Sequence, residues 1–242
     1  MEALRTWLQD TDPGALFALG FVVLVVLLSI YALRHWAKRK AALLEMMPKL
    51  GFQAIEEPDP ERLVPDSLFH PNGFGEQSTG RGTVQDVMRR VPMAWTGRLA
   101  DRDVTVMDVS VMRRRTGQTE DRDQTHPLNR TVLRCPTPTG EPPPDLLIEE
   151  RVLFKGQVKD QRSVRGNETF GEHYFLFSSA PDTWLERWIT PPLEDVLGRH
   201  RLWRLAAHDG VLYLCRGSSR EEPKEMESFL HEGEEFLRAF LP

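Results

Sequence analysis

Residues 13–33, PGALFALGFVVLVVLLSIYAL, carry no charge and constrain this chain more than any other part of it. At a helical rise of about 1.5 Å per residue the stretch reaches roughly 30 Å, the thickness of a bilayer's hydrocarbon core. A core helix of a soluble domain needs one apolar stripe, whereas residues 16–28 are apolar all round. The stretch reads as a transmembrane helix. Asp12 can cap it, and Pro13 takes the first helical position, where a missing N–H costs nothing. Trp7 precedes the span and Tyr31 and Trp36 lie at its far end, where amphipathic aromatics favour the bilayer interfaces.

A signal peptide would need a basic start, a shorter apolar run and a small-residue cleavage site. Here Glu2, Asp10 and Asp12 outweigh Arg5, and Arg34-His35-Trp36-Ala37 is no such site, so we expect the segment to be retained. Arg34, Lys38, Arg39 and Lys40 crowd the C-terminal flank. The positive-inside rule then predicts a single-pass protein of the cell membrane with its C-terminal side in the cytoplasm. Cys135 and Cys215 are the only cysteines, which suits a reducing compartment.

Charge is distributed unevenly. Residues 34–50 hold five Lys/Arg and one Glu, a net of +4, while residues 51–242 hold 25 Lys/Arg and 32 Asp/Glu, a net of −7. A basic collar suits anionic headgroups, so the lipid bilayer is one expected partner. A net-acidic body argues against nucleic acid as another. The expected plan is a short external N-terminus (1–12), the membrane helix (13–33), a basic juxtamembrane helix (34–50) and one cytoplasmic domain (51–242). Leu33, Trp36, Ala37, Ala41, Leu44 and Met47 continue a helical stripe, which Pro48 and Gly51 stop.

The body reads as α+β, a largely antiparallel sheet with peripheral helices. Asp59-Pro60-Glu61 predicts a helix start. TVQDVMRRVPMAWTGRL and VTVMDVSVM read as strands joined by a turn at residues 100–103, with TVLRC, LLIEERVLF and HYFLF as further strands. Between the second and third of these, RRRTGQTEDRDQTHPLN reads as a polar loop, and PTPTGEPPP as a stiff connection. Thr183 and Glu186 suggest a capping box, Thr190-Pro191 a second helix ending at Gly198, and Asp209-Gly210 a hairpin turn. A final helix is expected from near Glu221, with Met226, Phe229, Leu230, Leu237, Phe240 and Leu241 on its apolar stripe.

No catalytic signature is present. The glycines at 73, 75, 80 and 82 have neither phosphate-loop spacing nor a helix behind them. Cys135 and Cys215 read as core residues, and the scattered histidines give no metal-ligand set; His208 and Cys215 alone make a poor one. No cofactor is implied. Glu149 and Glu150, adjacent on a strand, point to opposite faces and cannot act as a pair. Asp108 shares a face with Val104 and Val106; buried there, it must be paired, hydrogen-bonded or shifted in pKa. It is the one weak catalytic candidate. VMRR occurs twice, and pairing the two strands brings Arg89 and Arg90 near Arg113, Arg114 and Arg115, a candidate site for an anion or an acidic partner.

The span, its basic collar, LGF at residues 50–52, VMDVSV and HYFLFSSAPDTWLERWITPPLEDVL followed by a hairpin together resemble a group of uncharacterised bacterial single-pass membrane proteins. The resemblance implies an anchor-plus-domain architecture and no activity; the group often has an aromatic residue where this chain has Val109. The function expected from these readings is a membrane-tethered cytoplasmic interaction module for a protein partner or an anionic ligand. Two alternatives are a membrane-anchored hydrolase or transferase with a site near Asp108, and a packing subunit of a membrane assembly.

Overall fold

The computed structural model describes residues 13–65, 83–116, 124–137, 142–150, 173–178, 180–200, 202–217 and 219–241, without the side chains of 13, 15–16, 83–87, 113–116 and 124–128. The chain divides into two compact units, Met1–Met46 and Met47–Pro242.

The first unit is built on helix α1, Pro13–Lys49. Helix formation satisfies the backbone groups of its interior, and the Ser29 hydroxyl is satisfied in the same way, donating to the Val25 carbonyl at 2.8 Å. The apolar side chains point outward on all sides: Phe17 is 78% exposed, Leu27 58% and Leu33 68%. Among the described residues this is one helix long and apolar enough to cross a membrane. It runs without a break through the collar to Lys49. Lys40 lies over the Trp36 ring at 5.4 Å, a cation–π contact one turn apart.

The end of α1 is a Schellman motif. Gly51, at φ +84°, supplies the left-handed residue; its N–H reaches the Pro48 carbonyl at 3.1 Å, and the Phe52 N–H reaches Met47 at 2.9 Å. Met47 and Phe52 are both buried, the apolar contact that accompanies this cap.

The second unit is an eight-stranded, fully antiparallel sheet with the order β1-β2-β3-β4-β8-β7-β5-β6. Its strands are β1 (Gln53–Ala54), β2 (Thr83–Leu99), β3 (Arg102–Thr116), β4 (Gln124–Pro136), β5 (Leu146–Glu150), β6 (Tyr174–Ser178), β7 (Trp203–His208) and β8 (Val211–Arg216). The helices are α2 (Pro60–Leu63), α3 (Asp182–Trp188), α4 (Pro191–Arg199) and α5 (Met226–Phe240). Asp59 caps α2 by accepting from the Glu61 N–H at 3.0 Å, as the Asp-Pro-Glu sequence implies.

The β2–β3 turn is tighter than residues 100–103. Leu99 already pairs with Arg102, leaving Ala100 (φ +50°) and Asp101 (φ +61°) as a two-residue primed turn, whose hand matches strand twist. The β7–β8 turn is built alike, from Asp209 (φ +48°) and Gly210 (φ +69°). Strands β3 and β4 extend into what reads as a polar loop, because their backbones pair in register (Arg115 with Gln124, Met112 with Pro127) whatever the side chains' polarity. Only residues 133–136 of β4 pair with β8, so the far halves of β2, β3 and β4 run on past the rest of the sheet. Beyond the short β1, β2 is an edge strand bearing Pro92 and two register shifts, features that discourage further strand addition.

Both faces of the sheet are buried. One carries Trp95, Val106, Leu133, Leu214, Leu205 and Trp203, and α3–α5 pack on it. Trp203 stacks on Phe229 (5.1 Å, 11°) and meets Phe236 at 4.9 Å. Trp188 of α3 meets Phe240 at 5.3 Å, and Tyr174 donates to the Leu197 carbonyl of α4. The opposite face holds a cluster with Val91, Met107, Val109, Val132, Phe175 and Ala206, onto which Val64 and Leu63 fold from α2.

Two helix starts differ from the sequence reading. Helix α3 begins at Asp182 behind Pro181, so Thr183 lies inside it and forms no capping box. Helix α5 begins at Met226 after a 3-10 turn at Pro223–Glu225, not near Glu221. The Glu221 N–H is already committed to Thr131 Oγ1 (2.9 Å) and its carboxylate to Arg216, which pins that residue before the helix. Helix α4 starts at Pro191 and runs one residue past Gly198.

Gly97 lies beneath the Phe52 ring: a Cβ there would come within 2.5 Å of Phe52 Cδ1. Gly97→Ala should therefore cost about 1–3 kcal/mol in chemical denaturation, and part of that loss should be recovered by adding Phe52→Leu. Phe229→Ala, removing a fully buried ring from α5, should cost about 3–5 kcal/mol.

Candidate functional site

Asp108 sits on β3 with no exposed surface. Its Oδ1 accepts from Thr131 Oγ1 on the neighbouring β4 at 2.8 Å, and its Oδ2 lies 3.9 Å from Arg220 Nε. Arg220 also donates to Ser110 and, at 3.3 Å, to Asn129 Oδ1, two residues that face each other across β3 and β4. A buried carboxylate needs such partners. The result is a polar staple. It ties the segment after β8 to the middle of the sheet, and it gives Asp108 no solvent-facing oxygen with which to meet a substrate.

Glu149 and Glu150 take opposite faces, as alternation requires. Glu149 forms a buried ion pair with Arg204 of β7, while Glu150 accepts the Leu202 N–H at 2.6 Å. That bond holds Leu202 at φ +68°, an uncommon conformation for a leucine. Cys135 and Cys215 are fully buried free thiols. The register places them on opposite faces, since Cys135 pairs with Leu212 while Leu133 pairs with Leu214. Burial pushes the Cys135 thiol up to about 11, only partly offset by Arg102 and Arg134, so it is a poor nucleophile. Cys215 Sγ accepts from Arg130 Nη1 at 3.3 Å.

The two VMRR segments do meet at the end of the hairpin remote from its turn: Met88 pairs with Met112, Arg89 with Val111 and Gln85 with Arg114. The side chains of Arg113, Arg114 and Arg115 lie outside the described residues. Arg89 donates to the Val64 carbonyl at the end of α2, a structural use of its guanidinium. Arg90 is exposed and pairs in register with Ser110. Met88 and Met112 beside it are 47% and 39% exposed. Of the residues expected at a membrane interface, Tyr31 is 69% exposed, Trp36 37%, and Arg34, Lys38 and Lys40 lie on the C-terminal side of the apolar run; Arg39 is buried. Trp7 and the glycines between 73 and 82 lie outside the described residues.

Carboxylates of α5 meet basic residues of α4 and β8. Arg216 of β8 reaches Glu221 and Glu232 at 2.7 Å each, Trp203 Nε1 donates to Glu232 at 2.7 Å, and Arg199 and His200 meet Glu235. Burial alone would raise the Glu232 carboxyl. Hydrogen bonds from Ser228 and Trp203 and the charges of Arg216 and His200 outweigh it and hold the group below the ordinary 4.5. This belt fastens α5 to β7 and β8 along its polar edge. Sequence reasoning missed it because its members are far apart in the chain; the only local signal is the glutamate row of α5.

No protein-family profile, no curated protein and no solved structure matches the chain.

Arg220→Ala, which removes the guanidinium beside buried Asp108, should cost roughly 3 kcal/mol, whereas Arg90→Ala on the surface should change stability by less than about 0.5 kcal/mol. Urea titration of both variants checks this. A carboxyl depressed by folding contributes stability that is complete above its unfolded value and lost as pH falls through the folded one. The gap between wild type and Glu232→Gln should thus be widest near neutral pH and close progressively below about pH 4.5.

Proposed function

We propose that this protein is a membrane-tethered cytoplasmic interaction module, binding a protein partner or an anionic ligand. The observation that carries the reading is the contrast between the two units. The large apolar side chains of α1 between residues 17 and 33 are exposed to surroundings they do not suit, whereas most of those in the sheet unit are buried. Water would penalise such a surface by about 25 cal/mol for every Å² exposed, and a bilayer removes that penalty. The basic residues following the span favour the cytoplasmic side for the sheet unit. The surface best suited to a partner lies where β2–β4 run on past the sheet. There exposed Met88 and Met112 form an adaptable apolar pair beside Arg90.

The full chain should remain in the membrane pellet after alkaline extraction. A reporter fused after Pro242 should act as cytoplasmic and one fused at Met1 as external. Moving Arg34, Lys38, Arg39 and Lys40 to the N-terminal flank should weaken or invert that orientation. Protease digestion of the sheet unit from outside sealed cells would defeat the proposed topology.

A further inference from the structure

Past the apolar run, α1 continues to Lys49, and its two sides differ there. Arg39 and Leu43, one turn apart, are buried. Ala37, Ala41 and Leu44 are exposed, Leu44 by 46%. At about 100° per residue this second set lies on the far side of the helix from the first. It prolongs an apolar row that begins inside the run: Val26, Ile30 and Leu33 precede it in steps of three and four residues. Such steps keep a row on one face of a helix. All six side chains are exposed, and none carries a charge.

Hydrocarbon accounts for only the first half of this row. Leu44 lies about 17 Å along the axis from Leu33, whereas the polar zone on one side of a bilayer is only about 5–8 Å deep. Whatever covers the row must be apolar along one edge and pass from the membrane into water beside α1. A second α1 has both properties. Every copy crosses the bilayer in the same direction, so every copy presents the same row at the same depth. Ala37 and Ala41 are small enough to let two helices approach closely.

The flanking charges are complementary in the same arrangement. Lys40 precedes Ala41 on one flank of the row, and the exposed Glu45 follows Leu44 on the other. In a parallel two-helix seam, the flank of one chain meets the opposite flank of its partner about five residues further on. That offset sets Lys40 of each copy against Glu45 of the other, once on each side of the two-fold axis.

We propose that α1 pairs in parallel with α1 of a second copy along residues 26–44, with Lys40 and Glu45 bridging the two chains. The pairing rests on the reading of α1 as a membrane span.

The test places single cysteines in the full chain and oxidises isolated membranes; the native Cys135 and Cys215 are buried and form the background. Ala37→Cys, Ala41→Cys and Leu44→Cys lie in the row, while Lys38→Cys and Ala42→Cys lie off it. A species of twice the chain mass should form from the three row variants and not from the other two. In the Ala41→Cys chain, Lys40→Glu should lower the cross-linked fraction roughly threefold, and adding Glu45→Lys should restore it. Alkaline extraction of the same membranes tests the span by itself. A chain that stays in the pellet but cross-links at none of the five positions, or equally at all of them, overturns the pairing and leaves the span. So does a cross-linked species that contains a different protein, or a fraction that Lys40→Glu leaves unchanged or the double reversal fails to restore. Release of the chain into the extract overturns span and pairing together.

Discussion

The packing of Trp203 against Phe229, stacked, and Phe236, tilted, is the contact on which the sheet unit depends. It joins the hairpin at the centre of the sheet to the last helix of the chain. Close approach is possible because α5 has Gly233 at the crossing, where a Cβ would stand 3.0 Å from Leu133 Cδ1. Beside the aromatic stack, the indole N–H reaches Glu232, so one tryptophan carries both apolar burial and a charge-assisted hydrogen bond. Arg216 and Glu221 then extend the fastening to the segment before α5, and Arg102 donates to the Leu241 carbonyl after it. The helix is thus held at both ends and along one edge.

This arrangement explains where the charged residues are spent. A sheet buried on both faces leaves little room for charge inside, and buried ions there include two matched pairs, Asp108 with Arg220 and Glu149 with Arg204. Such pairs contribute modestly to stability and strongly to register, because a strand shifted by one residue would strand a charge. Carboxylates of α5 are engaged with Arg199, Arg216 and Arg238.

The two units place their apolar side chains differently. In the sheet unit, apolar burial, helix caps and paired charges follow the rules of folding in water. In α1, between residues 17 and 33, apolar groups face outward and the hydroxyl of Ser29 is satisfied within the helix. The Schellman cap at residues 47–52 ends the helix within a few residues.

Local physics made several elements legible from the sequence. Periodicity and composition mark α1 and the stripe of α5, the Asp-Gly turn marks the β7–β8 hairpin, Asp59-Pro60 marks α2, and strand alternation separates Glu149 from Glu150. Each of these signals needs only neighbouring residues. Tertiary structure decided what depends on distant partners. The length of β3 and β4 comes from backbone pairing that polar side chains do not announce, and the start of α5 from Thr131 claiming the Glu221 N–H. The staple role of Asp108 rests on an arginine more than a hundred residues away. The meeting of Asp145 with His208 is of the same kind. The two residues lie 63 positions apart, and they come together because β5 joins the sheet beside β7.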